Sequence, residues 1–289
     1  MQAKMIILKA YAKINLCLYV LGKREDGFHS IFTIMQTIDL ADMLYLRKSE
    51  NFSIKVKNLE ITGENILQKA YKKICDYIGD KFPVDITLIK NIPIGTGLGG
   101  GSSDAAAFLR GVNELYQLGL ENEQLIEIGS EIGSDVPFFF TDGSAIAEGR
   151  GEIVNPIELP LSYFVFLVVP HFRISTIWAY SNVRNYLTLP EKLNSLINYN
   201  LKKNFWEILP SLKNSFNEIV LKEHPELETE FERLKNFGAD LVSITGSGSA
   251  FFGIFREIKD AKRALEYDWN GETFVLSPIR NSISTMNFD

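Results

Sequence analysis

Apolar and polar residues alternate through most of the first part of the chain. "MIILKAY" and "INLCLYVLG" are rich in β-branched and aromatic residues and predict two strands. The period then changes. Ile66, Ala70, Tyr71, Ile74 and Ile78 recur at helical spacing within "ENILQKAYKKICDYIG", and "VDITLIK" restores a strand. After "NIPIGTGLGGG", an apolar stripe of Ala105, Phe108, Leu109 and Val112 predicts a helix. Ser102 or Ser103 is its candidate N-cap, with Asp104 in the first turn. A further helix, Gln124 to Ile132, leads into "GSDVPFFF".

The pattern breaks at "NPIELPLS", residues 155–162, where two prolines and no periodicity predict a domain junction. The expected domains are therefore 1–157 and 158–289. Beyond the junction come strand "YFVFLVV", helices as far as Phe237, strands "ADLVSIT" and "SAFFGIF", helix "IKDAKRALEY" and strand "ETFVL". That order predicts a ferredoxin-like α/β sandwich, and an α+β fold for the whole chain. There is no internal repeat.

Composition narrows the classes. The 289 residues are 46% hydrophobic and 23% charged, which suits a soluble globular protein. No apolar run reaches the length of a membrane span, and the N-terminus lacks a signal-peptide pattern, so the cytoplasm is expected. Cys17 and Cys75 are too few for a disulfide framework, and His29, His171 and His224 have no metal-ligand spacing. The net charge of −6 argues against nucleic acid as a partner. Oligomeric state is not legible.

Five glycines lie between Gly95 and Gly101. A flexible linker would rarely stand between a strong strand and a capped helix. Gly95, Gly97 and Gly100 match G-x-G-x-x-G, but "KNIPI" separates them from the strand, and a helix entered at Ser102 would start beyond the third glycine. A phosphate cradle fits better. Glycines let successive N–H groups face one anion, and a helix N-terminus adds its free amides and dipole. No Gly-Lys-Ser/Thr follows, so this is not a Walker loop and a cation must come from elsewhere.

Lys13 interrupts an apolar strand signal, as a solvent-facing edge lysine or as a desolvated active-site ammonium. Asp135 is a turn former before Val-Pro, or a carboxylate at the mouth of an apolar region that accepts a proton. Asn15 shares the strand face of Lys13 and can bond a polyol. Phe28 and His29 follow the turn at Asp26 and Gly27 and suit stacking and edge recognition of a nucleobase. Gly246 and Gly248, in "ITGSGSAFFG", predict a tight hairpin turn.

"AYAKINLCLYVLGKREDGFHSI", "PIGTGLGGGSSDAAA" and "ITGSGSAFFGIF" resemble, in order, the three motifs of the GHMP kinases (galactokinase, homoserine, mevalonate and phosphomevalonate kinases). With "GSDVPFF" and "EGRGE", they are similar to the branch whose acceptor is a cytidine diphosphate-linked polyol of the non-mevalonate isoprenoid pathway. The resemblance implies an N-terminal domain like the second domain of ribosomal protein S5, a GHMP C-terminal domain and a cleft between them. It implies ATP as phosphoryl donor, with Mg²⁺, and a small-molecule acceptor. The implied roles are Lys13 and Asp135 for catalysis, Asp135 as general base, and Pro93, Ile94, Gly95, Thr96, Gly97, Leu98, Gly99, Gly100, Gly101, Ser102 and Ser103 around the ATP phosphates. Asn65 would contact adenine and Lys90 would supply charge near the nucleotide. Asn15, Phe28, His29, Thr176 and Tyr180 would hold the acceptor, with Thr176 or Ser175 also capping a helix. The loop of Gly246 and Gly248 would press on the phosphate loop. The metal ligands are unknown, with Ser102 or Ser103 as candidates. The family commonly carries Tyr where Phe28 stands, which keeps stacking and removes a hydroxyl. A homoserine or mevalonate kinase, and a non-catalytic nucleotide binder, are the alternative readings.

Overall fold

Two long strands make the frame. The computed structural model describes residues 5–58, 65–190, 193 and 201–286; part of the helical stretch expected before Phe237 lies outside them. β1 (Met5–Lys23) runs unbroken where two strands were expected, because bulges at Tyr11/Ala12, Asn15/Cys17 and Val20/Gly22 absorb the breaks in alternation. It pairs antiparallel with β2 (His29–Lys48). β3 (Ser53–Lys57), β4 (Val84–Ile89), β5 (Ser144–Glu148) and β6 (Ile153–Pro156) complete this sheet, together with β11 (Ile283–Met286). The main order is β11-β1-β2-β4-β3, and β5 and β6 continue from the far half of β2.

Helix α2 (Gly100–Tyr116) packs directly on the sheet, and α1 (Ile66–Ile78) and α3 (Asn122–Ile132) pack on α2 and on each other, so that all three bury their apolar stripes in one core. Ala105, Phe108, Leu109 and Val112 of α2 meet Leu8, Leu44 and Leu46 in one core cluster. The predicted helix start needs correction. α2 begins at Gly100 with Gly99 as N-cap at φ +71°, so Ser102 and Ser103 lie inside the first turn. Glycine reaches that left-handed geometry without steric penalty and serine does not. The helix therefore starts at the third glycine of the formal G-x-G-x-x-G, and the helix-start objection to that pattern lapses. The intervening "KNIPI" still separates it from the strand.

The second unit is a four-stranded antiparallel sheet of β7 (Phe164–Pro170), β8 (Leu241–Ile244), β9 (Phe251–Phe255) and β10 (Gly271–Leu276) in the order β10-β7-β9-β8. This is the ferredoxin-like order expected of a strand–helix–strand–strand–helix–strand chain. Ser175 caps the short α4 (Thr176–Ser181), accepting from Trp178 N–H. The boundary expected for 158–289 is corrected at its far end. β11 pairs with β1, Ile7 opposite Met286, and so belongs to the first sheet. "ISTM" is too short to announce a strand by itself.

A core cluster joins the units: Ile14, Leu16 and Tyr19 of β1 pack with Tyr163, Leu167 and Phe205. Cys17 is buried in it, and burial pushes its thiol up to about 12, so it stays protonated and unreactive. Among the described residues no helix is long and apolar enough to cross a membrane.

Candidate active site

The site is built along the free edge of β1. Beyond Ala10 this strand loses β11 as a neighbour, and an open edge must find other partners. Lys13 N–H donates to Leu98 carbonyl at 2.9 Å, in the glycine loop. Asn15 N–H donates to Thr245 Oγ1 at 3.1 Å, in the third motif. Leu18 N–H reaches Lys213 carbonyl and Val20 N–H reaches Ser215 Oγ, each at 2.9 Å. Three distant segments thus converge on one strand.

Lys13 is 3% exposed, which rules out the solvent-facing edge lysine. Its ammonium donates to Asn15 Oδ1 at 2.7 Å and stands 3.2 Å from Asp135 Oδ2. The buried Phe138, Phe139 and Phe140 anchor the turn that follows Asp135. The carboxylate itself is 37% exposed and lines a cleft of about 560 Å³. A buried ammonium therefore holds a carboxylate that faces open space, the arrangement a general base beside an acceptor hydroxyl requires.

Asn15 differs from the expectation of a side chain free for the polyol. Its Oδ1 takes Lys13, its Nδ2 donates to Thr33 Oγ1 at 2.8 Å, and it is 2% exposed. It anchors the lysine.

The glycine loop lies against this edge. Gly95, Gly97 and Gly99 all have positive φ. At Gly97 a Cβ would stand 2.0 Å from the Thr245 carbonyl oxygen, so only glycine permits the approach of the third-motif loop. Thr96 carbonyl accepts from Ala250 N–H at 3.2 Å, a second contact between the two loops. That loop spans residues 245–250 between β8 and β9, longer than the expected tight hairpin turn. Ser103 N–H is the first amide to bond back, to Gly99 carbonyl at 2.9 Å. The amides of Gly100, Gly101 and Ser102 therefore have no intrahelical acceptor and form an anion site with the helix dipole. Ile66 lies 3.9 Å from where a Cβ on Gly101 would sit, which brings the start of α1 beside that of α2. Asn65 caps α1, accepting from Leu67 N–H at 3.0 Å, and so flanks the loop.

Lys90 is not the solvated surface lysine that was one of its two sequence readings; its ammonium lies 3.3 Å from where a Cβ on Gly100 would sit. It is buried under the loop, bonded to Asp42 and, at 2.7 Å, to Asp104. Asp42 Oδ1 also accepts Asn91 and Ile92 N–H, the latter at 2.8 Å. Burial alone would lower the Lys90 pKa, but the charges of Asp104 and Asp42 outweigh it and hold the ammonium above its ordinary value. Burial, reinforced by the charge of Asp42 against the opposing pull of Lys90, raises the Asp104 carboxyl well above the usual carboxylate range, and its Oδ1 has no partner. The triad fixes both ends of the glycine segment from beneath.

Across the cleft, His29 stacks on Tyr180 with centroids 5.1 Å apart and 30° between planes. Phe28 is 54% exposed, with the Arg150 guanidinium 5.0 Å over its ring. Thr176 Oγ1 lies 3.1 Å from Ser247 Oγ. Burial, then the charge of Lys23, holds the His29 imidazole below its ordinary pKa. Burial, then the Asp135 charge, raises the Tyr180 phenol. Lys23, Ser134, Arg150, Ile177 and Ser247 also line the cleft and were not singled out from sequence. The "EGRGE" match contained Arg150, and nothing local marked Lys23.

Among the described residues no cluster of three or more His, Cys, Asp or Glu could hold a metal. Ser103 Oγ is fully buried without a partner, and Ser102 Oγ lies 3.9 Å from where a Cβ on Gly133 would sit. A Mg²⁺ held chiefly by phosphate oxygens and water fits such a donor set.

Comparison with known proteins agrees with this geometry. Residues 65–143 match the GHMP kinases N terminal domain, and residues 197–270 match GHMP kinases C terminal. The 4-diphosphocytidyl-2-C-methyl-D-erythritol kinase of Thermodesulfovibrio yellowstonii is 41% identical over 276 residues, 91% of this chain and 94% of that protein. Its counterpart in Bacillus cereus is 43% identical over 256 residues, 86% of this chain and 88% of that one. The crystal structure of a 4-(cytidine 5'-diphospho)-2C-methyl-D-erythritol kinase superposes with a TM-score of 0.76 at 30% identity, over 94% of this chain and 99% of that one. Homoserine kinase from Cytophaga hutchinsonii shares the fold, with a TM-score of 0.75 at 16% identity over 99% and 98% of the two chains.

Proposed function

The chain belongs to the 4-diphosphocytidyl-2-C-methyl-D-erythritol kinases of the GHMP kinase family, and on that premise we propose how its own residues perform the reaction. ATP places its phosphates on the amides of the glycine loop and the first turn of α2. The cytidine diphosphate polyol lies in the cleft, with its base against Phe28, His29 and Tyr180. Asp135 accepts the proton of the 2-hydroxyl as that oxygen bonds to the γ-phosphorus, while the bond from the γ-phosphorus to the β–γ bridging oxygen breaks and ADP leaves with that electron pair. Lys13, 3.2 Å from Asp135, orients that carboxylate and neutralises charge on the transferring group. Mg²⁺, when bound, screens the phosphate oxygens. The reaction is placed in the cytoplasm. One observation carries this reading: the 3.2 Å pair of a buried Lys13 and a cleft-facing Asp135, beside unpaired helix amides.

The deciding experiment offers ATP with each of three alcohols: the cytidine diphosphate polyol, homoserine and mevalonate. Phosphorylation of the first alone is expected. Equal or preferred turnover of either small alcohol removes the assigned role of Phe28 and His29.

The imidazole sets a pH dependence. Because burial and Lys23 hold His29 below its ordinary 6.5, it is neutral throughout the neutral range. The acid fall of acceptor kcat/KM is expected to be centred below 6.5. Removing the Lys23 charge in Lys23→Met moves that fall to higher pH. The stability contribution has the same sign. As pH falls, the unfolded chain takes up this proton first, so stability present above 6.5 is lost below it. A pH–rate profile on both proteins checks the shift, and coincident profiles would refute it.

A further inference from the structure

We infer that Thr245 is a positioning residue that couples the glycine loop to the lysine–carboxylate pair; the inference rests on the proposed reading of that site and extends it. Thr245 is fully buried. It comes from the second unit yet meets two parts of the first. Its hydroxyl accepts Asn15 N–H at 3.1 Å. The same oxygen lies 3.1 Å from Gly97 carbonyl and 3.2 Å from Asn15 Oδ1.

A hydroxyl has one proton to donate. Here two acceptors compete for it. Donated to Gly97 carbonyl, it ties the loop that faces the phosphates. Donated to Asn15 Oδ1, it joins the Lys13 ammonium on the oxygen that anchors the lysine, 2.7 Å away. Any displacement of the loop at Gly97 therefore changes how firmly Asn15, and through it Lys13, is held. The backbones leave no slack, since a Cβ on Gly97 would stand 2.0 Å from Thr245 carbonyl oxygen. Misplacement by about 1 Å in such an arrangement lowers a rate by about 100-fold.

The test compares Thr245→Ser, which keeps the hydroxyl, with Thr245→Val, which keeps the shape and loses it. Thr245→Cys replaces the valine variant should that fail to fold. Two quantities are read on the full chain: steady-state kcat and acceptor KM, and hydrogen–deuterium exchange at Lys13–Asn15 and Gly97–Gly99 without ligands. Thr245→Val is expected to lower kcat about 10- to 100-fold with acceptor KM little changed, and to speed exchange in both segments. Thr245→Ser should match the parent in both. A serine variant as impaired as the valine one overturns the proposal, because packing rather than the hydroxyl then matters. Faster exchange with unchanged kcat also overturns it, leaving Thr245 a purely structural residue. If the parent fails to phosphorylate the cytidine diphosphate polyol, the functional reading falls, and the exchange comparison still decides the coupling.

Discussion

Asp135→Asn lowers kcat by about 10²–10⁴-fold while ATP still binds. Asparagine keeps the size of the side chain and its place after α3, so the cleft and the loop amides are undisturbed. What disappears is the acceptor for the hydroxyl proton and the partner of Lys13, 3.2 Å away. The loss corresponds to about 3–5 kcal/mol of transition-state stabilisation. ATP affinity by calorimetry should stay close to that of the parent, because the proposed phosphate contacts are backbone amides that this substitution leaves in place. Initial-rate measurements check the first half. A variant turning over at the parental rate would show that another group takes the proton.

The largest effect on stability is expected at Lys90. Lys90→Met leaves Asp42 and Asp104 facing each other in the interior without their shared cation. Removing one partner of a buried ionic group costs about 3–5 kcal/mol. The variant should therefore melt well below the parent at neutral pH. Its deficit should shrink in acid: burial already holds the Asp104 carboxyl well above the usual range, so the folded state takes up that proton first and the unfolded chain follows only as pH falls further. Asp104→Asn should be milder, because Asp42 still pairs with Lys90 and the new amide oxygen can still accept from that ammonium. Thermal melts at two pH values separate these outcomes. A neutral-pH Lys90→Met melt matching the parent would show that the triad does not hold the loop.

The contrast between these two sites shows what the sequence could carry. Lys13 and Asp135 each stood out locally, as a lysine in a strand and an aspartate before apolar aromatics, but only the family resemblance paired them; the structure puts them 3.2 Å apart. The sheet order of the second unit followed from the order of its elements alone. The Lys90 triad was not legible. Asp42 stands 48 positions from Lys90, and Asp104 looked like an ordinary first-turn acid until the helix start moved to Gly100. The bond from Thr245 to Asn15 spans 230 positions. No local pattern reports contacts of that range. The capping serines failed for a local reason instead: the loop arrives in a left-handed conformation, and Gly99 takes the cap.

The return of β11 to β1 has a mechanical consequence. The second unit leaves the first between β6 and β7 and rejoins it between β10 and β11, where Ile279 N–H is bonded to Thr37 carbonyl at 3.0 Å. It hangs from two covalent tethers rather than one. Two attachments, with the core cluster shared between the units, fix the orientation of the second unit more firmly than one would, and this keeps Thr245 in register against Gly97.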